Sequence, residues 1–283
     1  MTLNHCGVCR TLLGSVALIL LIGFVASGKT VRPLHGTSVS SASDDAVLDL
    51  SNFGAVGNGI ADDGPALQRA LDALGAAGGG TLFIPSGHYL IATPVTKDFG
   101  GLSGTVLIQG VPSLTMPAAP TANGAELSAG LDLTSDIIPA TGESQNAINL
   151  ANVHKLLIEH ISFSGRPDEA TDAATTLNLT NIDDATIRHC EFYGISTLLG
   201  GSVVKAERSA MSIEQSVFLG CTANSGLYAP VVENIEWRKV VISNSIFLDY
   251  GQRPFFSKTG FGAPLSWINA GNAALPTPDF PRR

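Results

Sequence analysis

The sequence predicts an all-β chain wound as a parallel β-helix and preceded by one α-helix. Three observations carry this reading: a gapless internal repeat, a composition of short strands and tight turns, and a single amphipathic stretch near the start of the folded part. The repeat is the strongest. Four segments starting at Ile148, Leu177, Val203 and Val232 align over 18 residues, with offsets of 29, 26 and 29. Each has an aliphatic residue ten positions on (Ile158, Ile187, Ile213, Ile242) and a Phe five further (Phe163, Phe192, Phe218, Phe247). A fixed register with variable loops marks a solenoid. Each copy holds three short extended pieces and no 3.6-residue period. Stacked Ile and Phe columns then fill an interior whose rungs lie about 4.8 Å apart. Between Ile and Phe stand His160, His189, Gln215 and Asn244, at a turn where a polar residue can adopt a left-handed backbone or cap the coil.

Composition agrees. Of 283 residues, 45% are hydrophobic and only 14% charged, and 31 are Gly. That is enough apolar material for a core, and it fits neither a coiled coil nor a helical bundle. The net charge is −8 and the pI about 5.1, which excludes an electrostatic nucleic-acid binder. An acidic polymer would need a local basic patch, because no global field attracts it.

Along the chain, Arg10 precedes an apolar run from Leu12 to Ala26, and small residues follow at Ala26, Ser27 and Gly28. Residues 1–28 read as a secretory signal peptide or an anchor, the only contact with a membrane that the sequence suggests. Removing them removes one positive charge, Arg10, and takes −8 to −9. Cys6 and Cys9 fall in that leader, so their Cys-x-x-Cys spacing is not read as a redox or metal pair. Cys190 and Cys221 remain, and spacing leaves open whether they pair. Residues 29–45 form a polar, Ser-rich linker, 46–250 the solenoid domain, and 251–283 a C-terminal cap or irregular tail.

The helix begins after Asp62 and Asp63, with Pro65 in its first turn. Leu67, Ala70, Leu71 and Leu74 form one apolar stripe, and Gly78–Gly80 end it. Thr81–Ile84 and Tyr89–Ile91 read as strands around a Pro85–Gly87 turn. The two aspartates are read as helix-capping groups in preference to a catalytic pair.

Asn52-Phe-Gly-Ala-Val-Gly-Asn58-Gly-Ile-Ala-Asp62-Asp63, then Gln68 and Ala70, then Gly78-Gly-Gly-Thr-Leu-Phe-Ile-Pro85-Ser-Gly87-His-Tyr89, resembles a known signature. It is similar to the N-terminal segment of the pectate lyase/rhamnogalacturonase/epimerase superfamily, the pectin-lyase-like proteins. The likeness spans residues 48–92, with Asn58 standing where the family usually has Asp. It implies a right-handed parallel β-helix whose N-terminal end is capped by the helix. It also implies a polysaccharide groove along the first strand of each coil and its flanking loops.

Candidate site residues follow from both frames. Asn178, Lys205 and Glu233 point outward from first strands, and the loop Arg166–Asp172 lies beside them. Asp172, Lys205 and Glu233 are the candidate acid/base residues. Asp168 and Glu169, with Asp172, are candidate calcium ligands, as in pectate lyases of similar architecture. Asn181-Ile-Asp183-Asp184 looks like a polygalacturonase motif, but the repeat aligns it with the turn Asn152-Val-His154-Lys155. The family's later Asp-Asp, Gly-His-Gly and Arg-x-Lys segments have no match, so two-carboxylate inverting hydrolysis has no residues to carry it. Glu159, Arg188 and Glu214 are expected to stack as a surface charge ladder. His160 and His189 adjoin in the next column and lack a third metal ligand.

The expected protein is secreted or held in the cell envelope. It acts on an acidic polysaccharide as a lyase, glycoside hydrolase or epimerase. The alternatives are a non-catalytic glycan-binding or surface module, a piece of a longer enzyme, or an assembly element such as a trimeric spike.

Overall fold

The computed structural model describes residues 46–112, 135–142, 144–166, 172–197, 201–223, 231–236, 239–248, 255–258 and 273–275. The expected leader, linker and tail lie outside these residues, apart from the short strands Phe255–Lys258 and Ala273–Leu275. Among the described residues no helix is long and apolar enough to cross a membrane.

The chain winds into a parallel β-helix. Each coil contributes a first, a second and a third strand, and equivalent strands of successive coils pair in parallel. The first-strand stack starts with the N-terminal part of Val95–Gln109 and of Ile148–Glu159. It continues through Leu177–Thr180, Val204–Glu207, Val232–Ile235 and Phe255–Lys258. The second-strand stack runs from Val47–Asp49 and Gly80–Phe83 through the C-terminal parts of those two long strands. It ends with Asp184–Arg188, Ala210–Glu214 and Lys239–Ser243. Eight third strands, from Asn58–Asp62 to Ala273–Leu275, form the remaining sheet.

Period-2 alternation puts apolar side chains inside, where no water competes. Ile158, Ile187, Ile213 and Ile242 share one register column. The Phe column is stacked face to face. Centroid separations are 4.8, 4.5 and 4.6 Å from Phe163 through Phe192 and Phe218 to Phe247, and planes lie within 5° of parallel. Coil spacing dictates this geometry, because rings in register columns take the spacing of their strands.

Two corners per coil turn on a single left-handed residue. Asn152, Asn181, Arg208 and Glu236 form one corner column, and His160, His189, Gln215 and Asn244 the other, all with φ between 48° and 58°. The polar residues that the repeat sets between Ile and Phe therefore do adopt the left-handed backbone. Asn181 sits at the corner opposite Asn152, in line with the turn reading of Asn181–Asp184. Such backbone costs about 1–2 kcal/mol per L-residue, so it persists only where stacking enforces it. Asn side chains recover part of that cost. Asn152 donates to Asp98 Oδ1 at 2.8 Å and Asn181 donates to Asn152 Oδ1 at 2.6 Å.

One expected boundary is corrected. Leu177 pairs with Val204 and not with Val203. The corner after Arg208 holds only Ser209 before the second strand, whereas Ile182 and Asp183 follow Asn181. The Ser209 hydroxyl accepts from the Ile182 N–H at 3.0 Å and so fills the place of the missing backbone acceptor.

The helix Gly64–Ala76 turns Leu67, Ala70, Leu71 and Leu74 into the N-terminal end of the core. Its start refines the capping expectation. Asp62 Oδ1 accepts from the N–H groups of Gly64, Ala92 and Thr93 at 3.0, 3.0 and 3.2 Å. Buried Asp63 occupies the N-cap position but turns its carboxylate to the Val56 and Gly57 N–H groups, at 2.6 and 3.0 Å. Burial raises the Asp62 pKa, but the Thr93 hydroxyl and the backbone donors outweigh it and hold the carboxyl below its ordinary value. At the other end Gly78 takes φ 84° and the Gly79 N–H reaches the Leu74 carbonyl at 3.1 Å.

Phe218 has a ring on either side and no exposed surface. Phe218→Ala is expected to lower stability by about 3–5 kcal/mol, read by denaturant titration, and Phe218→Leu by less. Equal losses for the two would contradict a packed ring column.

Candidate functional site

The outward side of the first-strand stack carries a straight polar column. Register aligns Thr96, Asn149, Asn178, Lys205 and Glu233 in successive coils. They alternate with inward-facing residues such as Val95, Leu179 and Val232, so strand periodicity aims them outward. The one-residue shift at Val204 is what brings Lys205 into line with Asn178 and Glu233.

The N-terminal part of the column is an amide ladder. Asn178 donates through Nδ2 to Asn149 Oδ1 at 3.0 Å, and Asn146 Nδ2 donates to the same oxygen at 2.9 Å. Asn149 Nδ2 donates to Thr96 Oγ1 and the Val95 carbonyl at 3.3 and 3.4 Å. Asn149 is thus fully engaged, while among the described residues Asn178 Oδ1 accepts nothing. The C-terminal part is charged. Lys205 and Glu233 are register neighbours one coil apart, yet Lys205 has no ion-pair or hydrogen-bond partner among the described residues. Glu233 Oε2 accepts from the Ser202 hydroxyl at 3.3 Å, which orients the carboxylate from the loop side. At the flanking corner Arg208 contacts Glu207 at 3.0 Å and Glu236 at 3.7 Å. A half-buried ammonium one coil away from an oriented carboxylate, on a line of hydrogen-bonding groups, can hold an anionic unit and exchange a proton with it.

The family model described as rhamnogalacturonase A/epimerase, pectate lyase-like, matches residues 48–250. The chain belongs to this family. Mannuronan C5-epimerase AlgE1 of Azotobacter vinelandii is 51% identical over 47 residues, 17% of this chain and 3% of that protein. Plasmin and fibronectin-binding protein A of Streptococcus pneumoniae (strain ATCC BAA-255 / R6) is 45% identical over 49 residues, 17% of this chain and 7% of that protein. These matches thus span a small fraction of either relative's length. A Parabacteroides merdae ATCC 43184 protein provisionally classed as a glycosyl hydrolase superposes with a TM-score of 0.50 at 14% identity. That superposition covers 82% of this chain and 96% of the other, and the likeness is one of fold.

In this family member the candidate residues separate. Lys205 and Glu233, both half-buried, are register neighbours in the outward column. Asp172 does not join them: its side chain has no exposed surface. Its Oδ1 accepts from the Arg166 N–H at 2.8 Å and lies 3.6 Å from Arg166 Nε, and its Oδ2 accepts from the Ser196 N–H at 2.8 Å. The acid/base expectation for Asp172 is therefore corrected to a structural one. The carboxylate ties one coil's loop to the next away from solvent, and sequence spacing could not register its depth. Asp168 and Glu169 lie outside the described residues. Among the described residues no group of three or more His, Cys, Asp or Glu side chains is placed to hold a metal.

The remaining features sit on other faces. Arg188 donates from Nε to Glu159 Oε2 and aligns with Glu214, as the charge ladder predicts. His160 and His189 stack with centroids 5.0 Å apart and planes at 6°. Cys190 and Cys221 are buried free thiols, so the open pairing question resolves against a disulfide. Burial pushes both pKa values up to about 12, and neither is a nucleophile at neutral pH.

Sequence reasoning missed a cluster on the third-strand face. Asp136 Oδ2 accepts from the Ser164 hydroxyl at 2.6 Å and meets His88 Nδ1 at 3.0 Å. Serine and histidine both address the carboxylate and not each other, so this is not a nucleophile–base relay. Its residues come from separate coils in no repeated pattern, which left no signal in the sequence. Ser202 and Arg208 were missed because only the corrected register places them beside the column.

Burial raises the Asp172 pKa above its ordinary value, against the opposing pull of the Arg166 and Ser196 N–H groups and the Arg166 charge. A raised folded-state pKa contributes stability that is complete below the unfolded pKa and lost as pH rises through the folded one. Asp172→Asn removes that titration and sets an amide against a backbone donor, at a cost of about 1–3 kcal/mol. Melting temperatures across the acid range should show a deficit that shrinks as pH rises. A deficit independent of pH would contradict the titration.

Proposed function

We propose that the chain is an exported protein that acts on an acidic polysaccharide lying along the first-strand face. The observation that carries this is the half-buried Lys205 ammonium, without a partner among the described residues, next to Glu233 in the outward polar column. Family membership supports it, as do short matches to relatives named mannuronan C5-epimerase and alginate lyase. Export rests on the apolar run from Leu12 to Ala26.

The chemistry best suited to one cation and one carboxylate is proton abstraction next to a uronate carboxyl group. Lys205 holds the uronate carboxylate and offsets the charge that builds on it in the enolate. Glu233 takes the C5 proton, and the electron pair of the C5–H bond moves into the enolate. In a lyase that pair then forms the C4–C5 double bond while the C4–O bond breaks, and the departing oxygen takes a proton from water. In an epimerase a water molecule gives a proton to the opposite face of C5, and Glu233 returns its proton to the hydroxide left behind. Calcium held through Asp168 and Glu169 is a separate proposal. It predicts activity that falls on chelation and returns with added calcium.

Incubation with polygalacturonate and alginate should yield unsaturated products or inverted C5 centres. Lys205→Met and Glu233→Gln should each lower turnover by about 10²-fold or more, without lowering the melting temperature. Turnover unchanged in both variants would overturn the assignment.

A second reading is a glycan-binding surface module without catalysis. The family's absent hydrolase segments favour it, and one relative is named for binding plasmin and fibronectin. Saturable polymer binding without product, lost in Lys205→Met, is the outcome it predicts.

A further inference from the structure

The third-strand sheet carries a polar column of its own, separate from the first-strand face. Register aligns His88, Asp136, Ser162 and Glu191 in successive coils, and apolar Val217 and Ile246 continue the line. Their strand neighbours Tyr89, Ile137, Phe163 and Phe192 are buried in the core, so alternation turns the four polar side chains outward. None of the eight third strands contains a Lys or Arg. Asp136 is nevertheless only 6% exposed. Its Oδ2 is taken by His88 Nδ1 and the Ser164 hydroxyl, at 3.0 and 2.6 Å, while its Oδ1 is buried and accepts no hydrogen bond. A buried carboxylate oxygen without a donor is costly until a positive group reaches it. One coil on, the half-buried Ser162 hydroxyl has no hydrogen-bond partner among the described residues, and one coil further neither has the half-buried Glu191 carboxylate. The two acids oppose each other: burial, and after it the Asp136 charge, raise the Glu191 pKa above its ordinary value.

We propose that Asp136 Oδ1, the Ser162 hydroxyl and the Glu191 carboxylate hold a calcium ion that clamps three successive coils together. The donors are all oxygen, which selects a hard cation over zinc or copper. Two carboxylates match its double charge and relieve both the orphaned Oδ1 and the repulsion across Ser162. Size favours calcium. Oxygens carried by adjacent coils lie about 4.8 Å apart. That is the span across a calcium ion with oxygens about 2.3–2.6 Å away on either side, and it exceeds the roughly 4 Å across magnesium. His88 and Ser164 hold the other Asp136 oxygen, so the carboxylate is already oriented before the ion arrives. With two acids and no third His, Cys, Asp or Glu ligand among the described residues, water completes the shell from the open Glu191 side. Such a site is weak, with a dissociation constant of about 10⁻⁴–10⁻³ M, the range of extracellular calcium modules. The ion acts on the stability of the coil stack and takes no part in chemistry on the first-strand face. The site is also separate from calcium at Asp168 and Glu169.

The test titrates the full chain, stripped with EGTA, with calcium chloride and with magnesium chloride, and reads calorimetry and melting temperature. Calcium at about 10 mM should raise the melting temperature by about 3–10 °C. Magnesium should bind at least about tenfold more weakly, and an equal response to the two ions would overturn the calcium assignment. Glu191→Gln keeps size and polarity and should weaken calcium binding about tenfold or more. In EGTA this variant should melt at or above the unsubstituted chain, because it removes the repulsion from Asp136, and in calcium the order should reverse. The double variant Asp168→Asn, Glu169→Gln should keep the calcium shift, which separates the two locations. No shift at about 10 mM calcium, or the same shift with and without Glu191→Gln, would overturn the site. Polysaccharide turnover does not enter the readout, so failure here leaves the proposed function standing.

Discussion

Every part of this molecule depends on superposition of its coils. Strands of one coil find their hydrogen-bond partners only in the coils above and below, so each must repeat the path of its neighbour to within a residue. The eight left-handed corner residues among the described residues make that path. Each is locally unfavourable and would straighten in isolation. Once a neighbouring coil is in place, the parallel ladders, the Phe column and the amide contacts at the corners hold the corner closed. Stability is consequently collective, a sum of coil-to-coil interfaces, and the N-terminal helix supplies the one end surface that a coil cannot.

The same constraint creates the candidate site. A side chain that alternation points outward on a first strand falls in line with its counterparts in every other coil. A linear polymer is the shape of ligand that such a line matches. The inner columns are uniform because the core demands it. The outer column is free to vary, and it varies from amide to cation to carboxylate within three coils. Lys205 is set apart by what surrounds it. Arg188 and Arg208 are consumed in ladders with Glu159, Glu207 and Glu236, whereas Lys205 has no such partner among the described residues.

Where the site was legible in the sequence, the reason was periodicity. Lys205 and Glu233 could be picked out because they flank inward residues of a repeat whose Ile and Phe columns are unmistakable. Asp172 illustrates the opposite case. Its place in a polar loop next to the groove made it a candidate. Only packing reveals that the carboxylate turns inward and is saturated by Arg166 and Ser196. The shift from Val203 to Val204 has a similar origin. A corner shortened by one residue is invisible to alignment without gaps, because the lost length is made good inside the same copy of the repeat.

The amino-acid sequence by itself determined the β-helix, its inner columns, one of its two columns of polar left-handed corners and the apolar stripe of the helix. These follow from local periodicity and from which residues water rejects, information each segment carries alone. The tertiary structure decided which outward residues share a column, that Lys205 has no partner among the described residues, that Asp172 is buried, and that Cys190 and Cys221 are separate thiols. Those facts depend on the stacking offset between coils, a relation between distant segments that no single stretch of chain encodes.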